Sequence, residues 1–546
     1  MAEMTNLLLL SVPLEMDYQH TLYFTSKANQ YNYFYSMKKK EYTDFSYQRK
    51  DGVIRIPDHA DNLLAAGCNY VMYKNPSYGD KWFYAFIEDI RYESPGRTDL
   101  KIQTDCIQTW MFDIDIRPSF VEREHAASDN IGEHTLEEDL AVGEYVVHKK
   151  RNFNVDSQLS IVAAVTRTPS GEKVVGGMYH GIYSGVAYYP FNRDGAKLEE
   201  FVKSYDEDAA AEGITMLFLA PTVMLKNADG NVLQGQQIPH SSTPFKAVVN
   251  KPLFDSGAYD QELVVEFADG TVDQYTPRNN KLFCYPYRYL LASNNAGGSA
   301  IYKFERFYHD SAAGVRTHYE PSFELAGCIT PGMSIKLTPL CYNGSDENNE
   351  ESLNMGKYPV LNWTSDAYTN WLTQNSVNQG MAYVSGAVKV AGGLAAMALT
   401  GGAATAVAGG VVASGASSIF NAMEQRYQAS LVPPQAKGNT NSGDITTALG
   451  NNDIKFYTMC VKHEYAVVID NFFDMYGYKC HRVKYPEKEH REAYWYTKTI
   501  DINMTGDIPQ KDLQTIKDCY NRGITFWRSP LTFRNYKTPN SPIAVG

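Results

Sequence analysis

The side chains that come closest to a reactive arrangement lie at three places. Glu122-Arg-Glu-His125 sets an acid three residues before a histidine, a spacing that on a helix could serve a metal. It follows Pro118 in a strand-like stretch, however, and no second histidine is near, so it reads as structural or salt-bridged. Asp113 and Asp115 alternate with Phe112, Ile114 and Ile116 and so share the polar face of a strand. Paired carboxylates could do acid–base work on a sugar, but a solvated strand face is the commoner origin of such a pattern. Glu487-Lys-Glu-His-Arg-Glu492 reads as a charge run in a loop. No HExxH, GxSxG, Walker loop or strand-linked GxGxxG occurs. The eight cysteines, Cys68, Cys106, Cys284, Cys328, Cys341, Cys460, Cys480 and Cys519, contain no CxxC pair. They fit neither a zinc site nor a secreted disulfide framework and read as free thiols made in a reducing cytoplasm. The expectation is a protein that is not an enzyme, with no catalytic residue, no metal site and no cofactor.

The elements that would carry such residues are mainly strands. The chain has 546 residues, enough for several domains, and its 44% hydrophobic content is enough for several cores. Its 40 Tyr and 24 Phe favour pleated, half-buried surfaces. The fold class expected is mainly β with some α, in several domains. A net charge of −12 argues against an electrostatic grip on phosphate, so contact with DNA should be non-adhesive. The run Leu7 to Leu10 has no basic residue before it and is followed by Pro13, Glu15 and Asp17, so it fails as a signal peptide.

Along the first 125 residues, Lys81 to Tyr92 and Leu100 to Cys106 alternate at period two about the turn Glu93-Ser-Pro-Gly-Arg97, which predicts a long antiparallel hairpin. One helix is expected to interrupt the strands, from Pro57-Asp58 to Gly67. Turn clusters recur at Thr168 to Gly171, Asn227 to Asn231, Thr276 to Asn280 and Asn294 to Ser299. The acidic stretch Asn343 to Ser352 is too polar to bury, and Ser365 is placed to cap a helix through Tyr368, Trp371 and Leu372. After Pro433-Pro434 the pattern returns to strands over Asp453 to His463 and the Tyr-rich Phe472 to Tyr478. Pro509, Leu513, Ile516, Tyr520 and Gly523 then outline one helix before the strand Ile524 to Trp527.

From Val390 to Met423 no charged residue occurs, and Gly and Ala dominate. As a helix this run would extend about 50 Å, well beyond one hydrocarbon core of about 30 Å. Gly401-Gly402 would split it into arms of about bilayer length, Gly380 to Thr400 and Ala403 to Phe420. Ala398, Gly402, Ala406, Gly410, Ser414 and Ser418 recur every four residues, a small-residue stripe that lets helices approach closely. The side chains that would enter lipid are Met381, Val384, Val388, Val390, Leu394, Met397, Leu399, Val407, Val411, Val412, Ile419 and Phe420. Trp371, Tyr383 and Tyr427 bracket the run where interfacial anchors would sit. From these residues alone three readings stand open: a packed soluble helical hairpin, a constitutive span, and a segment hidden in one state and membrane-inserted in another.

Several strings together resemble one family, the distal tail-tube or tail knob proteins of small protein-primed short-tailed phages of the Bacillus podophage type. They are Gln30-Tyr-Asn-Tyr-Phe34, Tyr78 to Phe86, Ile107 to Ile114, Val121 to His125, Tyr476 to Pro486 and Gly506 to Trp527, with the apolar run and its Pro433-Pro434-Gln435 exit between them. The resemblance covers both ends and the apolar insert. It implies a homohexameric tube with an N-terminal β tube domain (1–165), a middle β-rich region (166–350), a hydrophobic loop insertion (351–435) and a C-terminal part (436–546) packing with the N-terminal domain. The apolar loops would plug the lumen, then enter the host cytoplasmic membrane as a channel for genome ejection. Implied partners are the lower collar or proximal tail tube, a tail-tip wall-degrading enzyme, the host membrane, and DNA passing without specific binding. The implied location is the distal tail of the virion, with assembly in the host cytoplasm. The competing classes are a receptor-binding adhesin and a wall-degrading tail enzyme.

Overall fold

The computed structural model describes residues 5–45, 52–74, 79, 81–154, 158–170, 172–179, 182–192, 196–207, 213–225, 231–240, 245–295, 297–310, 316–318, 320–327, 335–343, 352–354, 360–361, 363–365, 435–437 and 453–543. The chain divides into two compact units. The first takes residues Met1–Gly143, Tyr275–Leu282 and His463–Gly546, and the second Glu144–Gln274 and Phe283–Lys462.

The first unit holds a six-stranded antiparallel sheet in the order Lys38–Phe45, Thr5–Leu10, Tyr70–Lys74, Trp82–Ser94, Arg97–Thr104, Val53–Ile56. Leu7 to Leu10 are all buried, as an apolar run must be when a central strand is covered on both faces. The expected hairpin forms between Trp82–Ser94 and Arg97–Thr104, with Gly96 supplying a positive φ of 73° at the turn. The expected helix appears as Ala60–Ala65, closed by Gly67.

Two further helices replace strands in this region. Lys27–Ser36 is capped by the Ser26 hydroxyl, which accepts from Asn29 N–H at 3.1 Å. Its Phe34 ring stacks on Tyr70 at 5.4 Å and meets Tyr84 at 4.7 Å, so aromatic content that favours strands serves here as the buried stripe of a helix. Cys106–Trp110 is the other; the Asp105 carboxylate accepts from Gln108 N–H at 3.0 Å and starts the turn where alternation suggested that the strand continued.

A five-stranded sheet joins both ends of the chain, in the order His20–Leu22, Ile524–Trp527, Tyr494–Ile500, Ser119–Glu124, Tyr478–Lys484. Trp527 is fully buried between the rings of Tyr494 (4.4 Å) and Tyr536 (5.1 Å). The C-terminal helix Gln510–Arg522 forms as its periodicity requires, buries Leu513, Ile516 and Tyr520, and stops at Gly523. Phe472 to Tyr476, expected as strand, instead ends the helix His463–Tyr476, whose buried Ala466, Ile469, Asp470 and Phe473 recur at helical spacing. Gly477 then turns at φ +63°, where a Cβ would lie well inside contact distance of the Glu124 carbonyl oxygen. Gly477→Ala is therefore expected to cost on the order of 2–4 kcal/mol from the left-handed backbone and the backbone clash together, read as a lower urea midpoint.

The second unit is built on three antiparallel-rich sheets. One runs Tyr145–Asn154, Asp453–Val461, Arg288–Ser293, Ser299–Tyr302; a second Ala187–Phe191, Leu159–Val165, Ile214–Pro221, Val360–Leu361; the third Gln261–Leu263, Phe245–Val249, Ser322–Gly327, Lys336–Leu340, Leu353–Asn354. Its core gathers aromatic rings, with Phe323 in contact with Tyr302 (4.9 Å), Phe307 (5.5 Å) and Phe456 (5.1 Å). The expected turn at Asn294 to Ser299 joins two of these strands. The cluster at Thr276 to Asn280 does not lie between apolar runs of one sheet: it belongs to the strap Tyr275–Leu282 that completes the first unit.

Candidate functional site

The apolar segment is bounded by a short two-stranded element of the second unit. Trp363–Ser365 pairs antiparallel with Gln435–Lys437, in the register Trp363↔Lys437, Thr364↔Ala436, Ser365↔Gln435. Ser365, expected as a helix cap, is thus the last residue of a strand, and the remainder of that expected helix lies outside the described residues. Val360–Leu361, just upstream, pairs with Leu217 and Phe218 at the edge of the second sheet. The chain therefore departs at Ser365 and returns at Gln435 side by side, anchored to that sheet. Such three-residue strands carry no period, and sequence reasoning missed them. All the side chains expected to enter lipid, from Met381 to Phe420, and the stripe from Ala398 to Ser418 lie outside the described residues. Among the described residues no helix is long and apolar enough to cross a membrane.

The three acidic clusters resolve differently. In Glu122 to His125 every side chain has a structural partner. Glu122 pairs with Lys498 at 2.7 Å, Arg123 with Glu138, and the buried Glu124 accepts from Glu487 N–H at 2.8 Å and pairs with Lys484. Burial raises the Glu124 carboxyl's pKa, against the pull of Lys484. His125 accepts from Tyr496 N–H through Nδ1 at 2.8 Å and reaches the Asp474 carbonyl through Nε2 at 3.0 Å, which fixes a neutral Nε2–H tautomer with both nitrogens occupied. It has no lone pair for a metal, and among the described residues no group of three or more His, Cys, Asp or Glu could hold one.

Burial, with Arg491 nearby, lowers the His125 pKa to about 3. Below pH 6.5 the unfolded chain binds a proton here that the folded chain refuses. Stability from this group is thus full above about pH 6.5 and is lost as pH falls toward 3, by up to about 1.4 kcal/mol per pH unit. Unfolding free energies of His125→Gln from urea titrations at pH 7 to 4 should show a pH slope shallower by up to about that amount.

Asp113 precedes the strand Ile114–Ile116 and pairs with Lys81 and, at 3.5 Å, with Lys27. Asp115 is exposed, and the Glu487 loop comes to the same cleft that Asp115 lines.

A buried polar network, invisible in sequence, closes the first unit. Arg491 makes two 2.7 Å bonds to Asp129, which also accepts from Tyr478 OH at 2.8 Å. Asp470, fully buried, accepts from Tyr275 OH (2.6 Å), Arg278 N–H (2.9 Å), Asn279 N–H (3.1 Å) and Asn279 Nδ2 (2.8 Å), so one carboxylate holds the strap.

The family model "Bacillus phage phi29, Tail knob protein gp9, C-terminal domain" matches residues 255–541, and "Caudoviral major tail protein N-terminus" matches residues 3–115. The tail knob proteins gp9 of Bacillus phages phi29 and PZA are 25% and 26% identical to the chain, each alignment covering 98% of both proteins. That of Bacillus phage B103 is 25% identical over 95% of both. The solved tail knob protein gp12 of bacteriophage C1 superposes with a TM-score of 0.58 over 99% of this chain and all of its own, at 13% identity, a likeness of fold.

Proposed function

We propose, from the premise that this chain belongs to the phi29 gp9 tail knob family and is a structural protein of the phage tail rather than an enzyme, that six copies close into the distal tail tube. Its apolar loops first plug the lumen and then enter the host cytoplasmic membrane as a channel for the genome. The observation that carries this reading is an uncharged Gly/Ala-rich run in a tail knob protein that otherwise folds as sheets. The paired strands Trp363–Ser365 and Gln435–Lys437 support it: a segment whose two ends leave from one point can change place without pulling its sheet apart. The acidic balance of −12 suits a bore past which a duplex slides, because each phosphate neutralised by Lys or Arg would add to binding. On this reading its neighbours along the tail are the collar or proximal tube and a tail-tip wall-degrading enzyme.

Electron microscopy of the purified protein tests the assembly. Class averages should show six-fold rings or short tubes. Monomers alone at micromolar concentration would sink the proposal.

A further inference from the structure

Two of the acidic stretches meet where neither stretch alone suggested a site. A cleft of about 670 Å³ in the first unit is floored by Ile107, Ile516, Trp495 and Phe526, all buried, and rimmed by Asp115 and the loop Tyr485 to His490. The volume lies in the range of small-molecule sites, roughly 300–1,000 Å³. Trp495 is held by the rings of Tyr23 (5.0 Å) and Phe526 (5.6 Å), and its indole N–H has no hydrogen-bond acceptor among the described residues. Glu487 is fixed through its backbone N–H to Glu124 and through one carboxylate oxygen to Lys484, while its other oxygen, Oε2, is buried without a hydrogen-bond partner among the described residues. Glu489 accepts from Tyr23 OH and stands at φ +65°, held there by Arg528 on its carbonyl and by Ile543 N–H on the His490 carbonyl at 2.8 Å.

The wall thus offers an apolar, aromatic floor, one unused donor and an unused acceptor on a loop fixed in advance. The buried Glu487 Oε2 is left without a partner among the described residues and the Trp495 N–H is open to one, so the cleft favours a ligand that supplies both. A hydrocarbon would leave Glu487 and the Trp495 N–H unmet. A phosphate or carboxylate would meet Asp115, Glu487 and Glu489 against Lys488 alone among the permanent cations of the lining. A sugar ring has C–H faces for the floor and hydroxyl groups that both donate and accept. We propose that this cleft binds a neutral saccharide, held by its hydroxyls at Glu487 and Trp495, without cleaving it. The proposal is independent of the membrane role of the apolar loops.

The test is isothermal calorimetry and saturation-transfer NMR on the full chain with chitotriose and maltotriose, which separate an N-acetylhexosamine glycan from a glucosyl decoration. Poly(glycerol phosphate) and spermidine serve as anionic and cationic probes. One neutral saccharide should bind saturably, neither charged probe should displace it, and no shorter sugar should appear. Met111→Trp, which fills the cleft, and Glu487→Gln should each weaken binding at least about tenfold. Because Glu487 also braces Lys484, an unchanged thermal midpoint of Met111→Trp shows that the loss arises in the cleft. No saturation by either saccharide up to ~10 mM (about 2.7 kcal/mol of binding at most), displacement by spermidine or poly(glycerol phosphate), release of shorter sugars, or binding that survives both variants would each overturn it.

Discussion

Placing aspartate at Val407 will abolish dye release from liposomes and genome delivery while leaving the oligomer assembled. The substitution falls mid-arm in the uncharged run, where a carboxylate costs about 2.5–3.5 kcal/mol on insertion scales. In the proposed channel of six copies that cost would be multiplied, so the inserted state would be disfavoured by far more than thermal energy. Nothing comparable acts on the sheets, whose cores are built from residues far from this run in sequence. Removing residues 380–420 should act the same way, because the short antiparallel pair that brackets the run can be closed by a turn. Leakage assays on vesicles, circular dichroism and electron microscopy of each variant decide. If Val407→Asp fails to fold, the run is ordinary core; if leakage is unchanged, membrane activity lies elsewhere.

Asp470→Ala will destabilise the first unit by about 3–5 kcal/mol, the range for breaking a buried, charge-assisted cluster. Four hydrogen bonds from Tyr275, Arg278 and Asn279 lose their acceptor, and no water reaches a side chain with no exposed surface. Asp470→Asn keeps the shape and part of the acceptor capacity and should cost about half as much. Urea unfolding followed by tyrosine and tryptophan fluorescence measures both. An alanine variant within about 1 kcal/mol of the parent would show that the strap is held by packing instead.

How much of this was legible depends on how far apart the cooperating residues lie. The hairpin Trp82–Ser94/Arg97–Thr104 and the helix Gln510–Arg522 carry their own period and their own stop residues, and both follow from the sequence. Lys27–Ser36 and His463–Tyr476 are helices where Tyr and Phe weigh toward strands, although Gln30 with Phe34 and Ala466, Ile469 with Phe473 keep helical spacing. The Glu122 to His125 stretch reads as structural, and its partners confirm that; yet Lys498, Glu138 and Lys484 could not be named in advance. The same distance hid the Asp129–Arg491 pair and the meeting of Asp115 with Glu487 at one cleft. The apolar run is the reverse case: it is legible from composition alone, and it lies outside the described residues.

The strand Ile524–Trp527 lies between His20–Leu22 and Tyr494–Ile500, so a late strand fills a slot between an early one and another late one. Pairings this distant in sequence form slowly, because a long loop must close before any contact rewards it. Until Ile524–Trp527 has been made, the five-stranded sheet cannot be completed, and Leu22 and Trp495 lack the strand that pairs with them. Products truncated before Ile524 lack the strand that seals this sheet and should be drawn to chaperones and proteases before they can assemble. In the ring proposed above one defective copy would spoil all the others, and a sheet completed only by Ile524–Trp527 excludes copies cut short before that strand at the moment of synthesis.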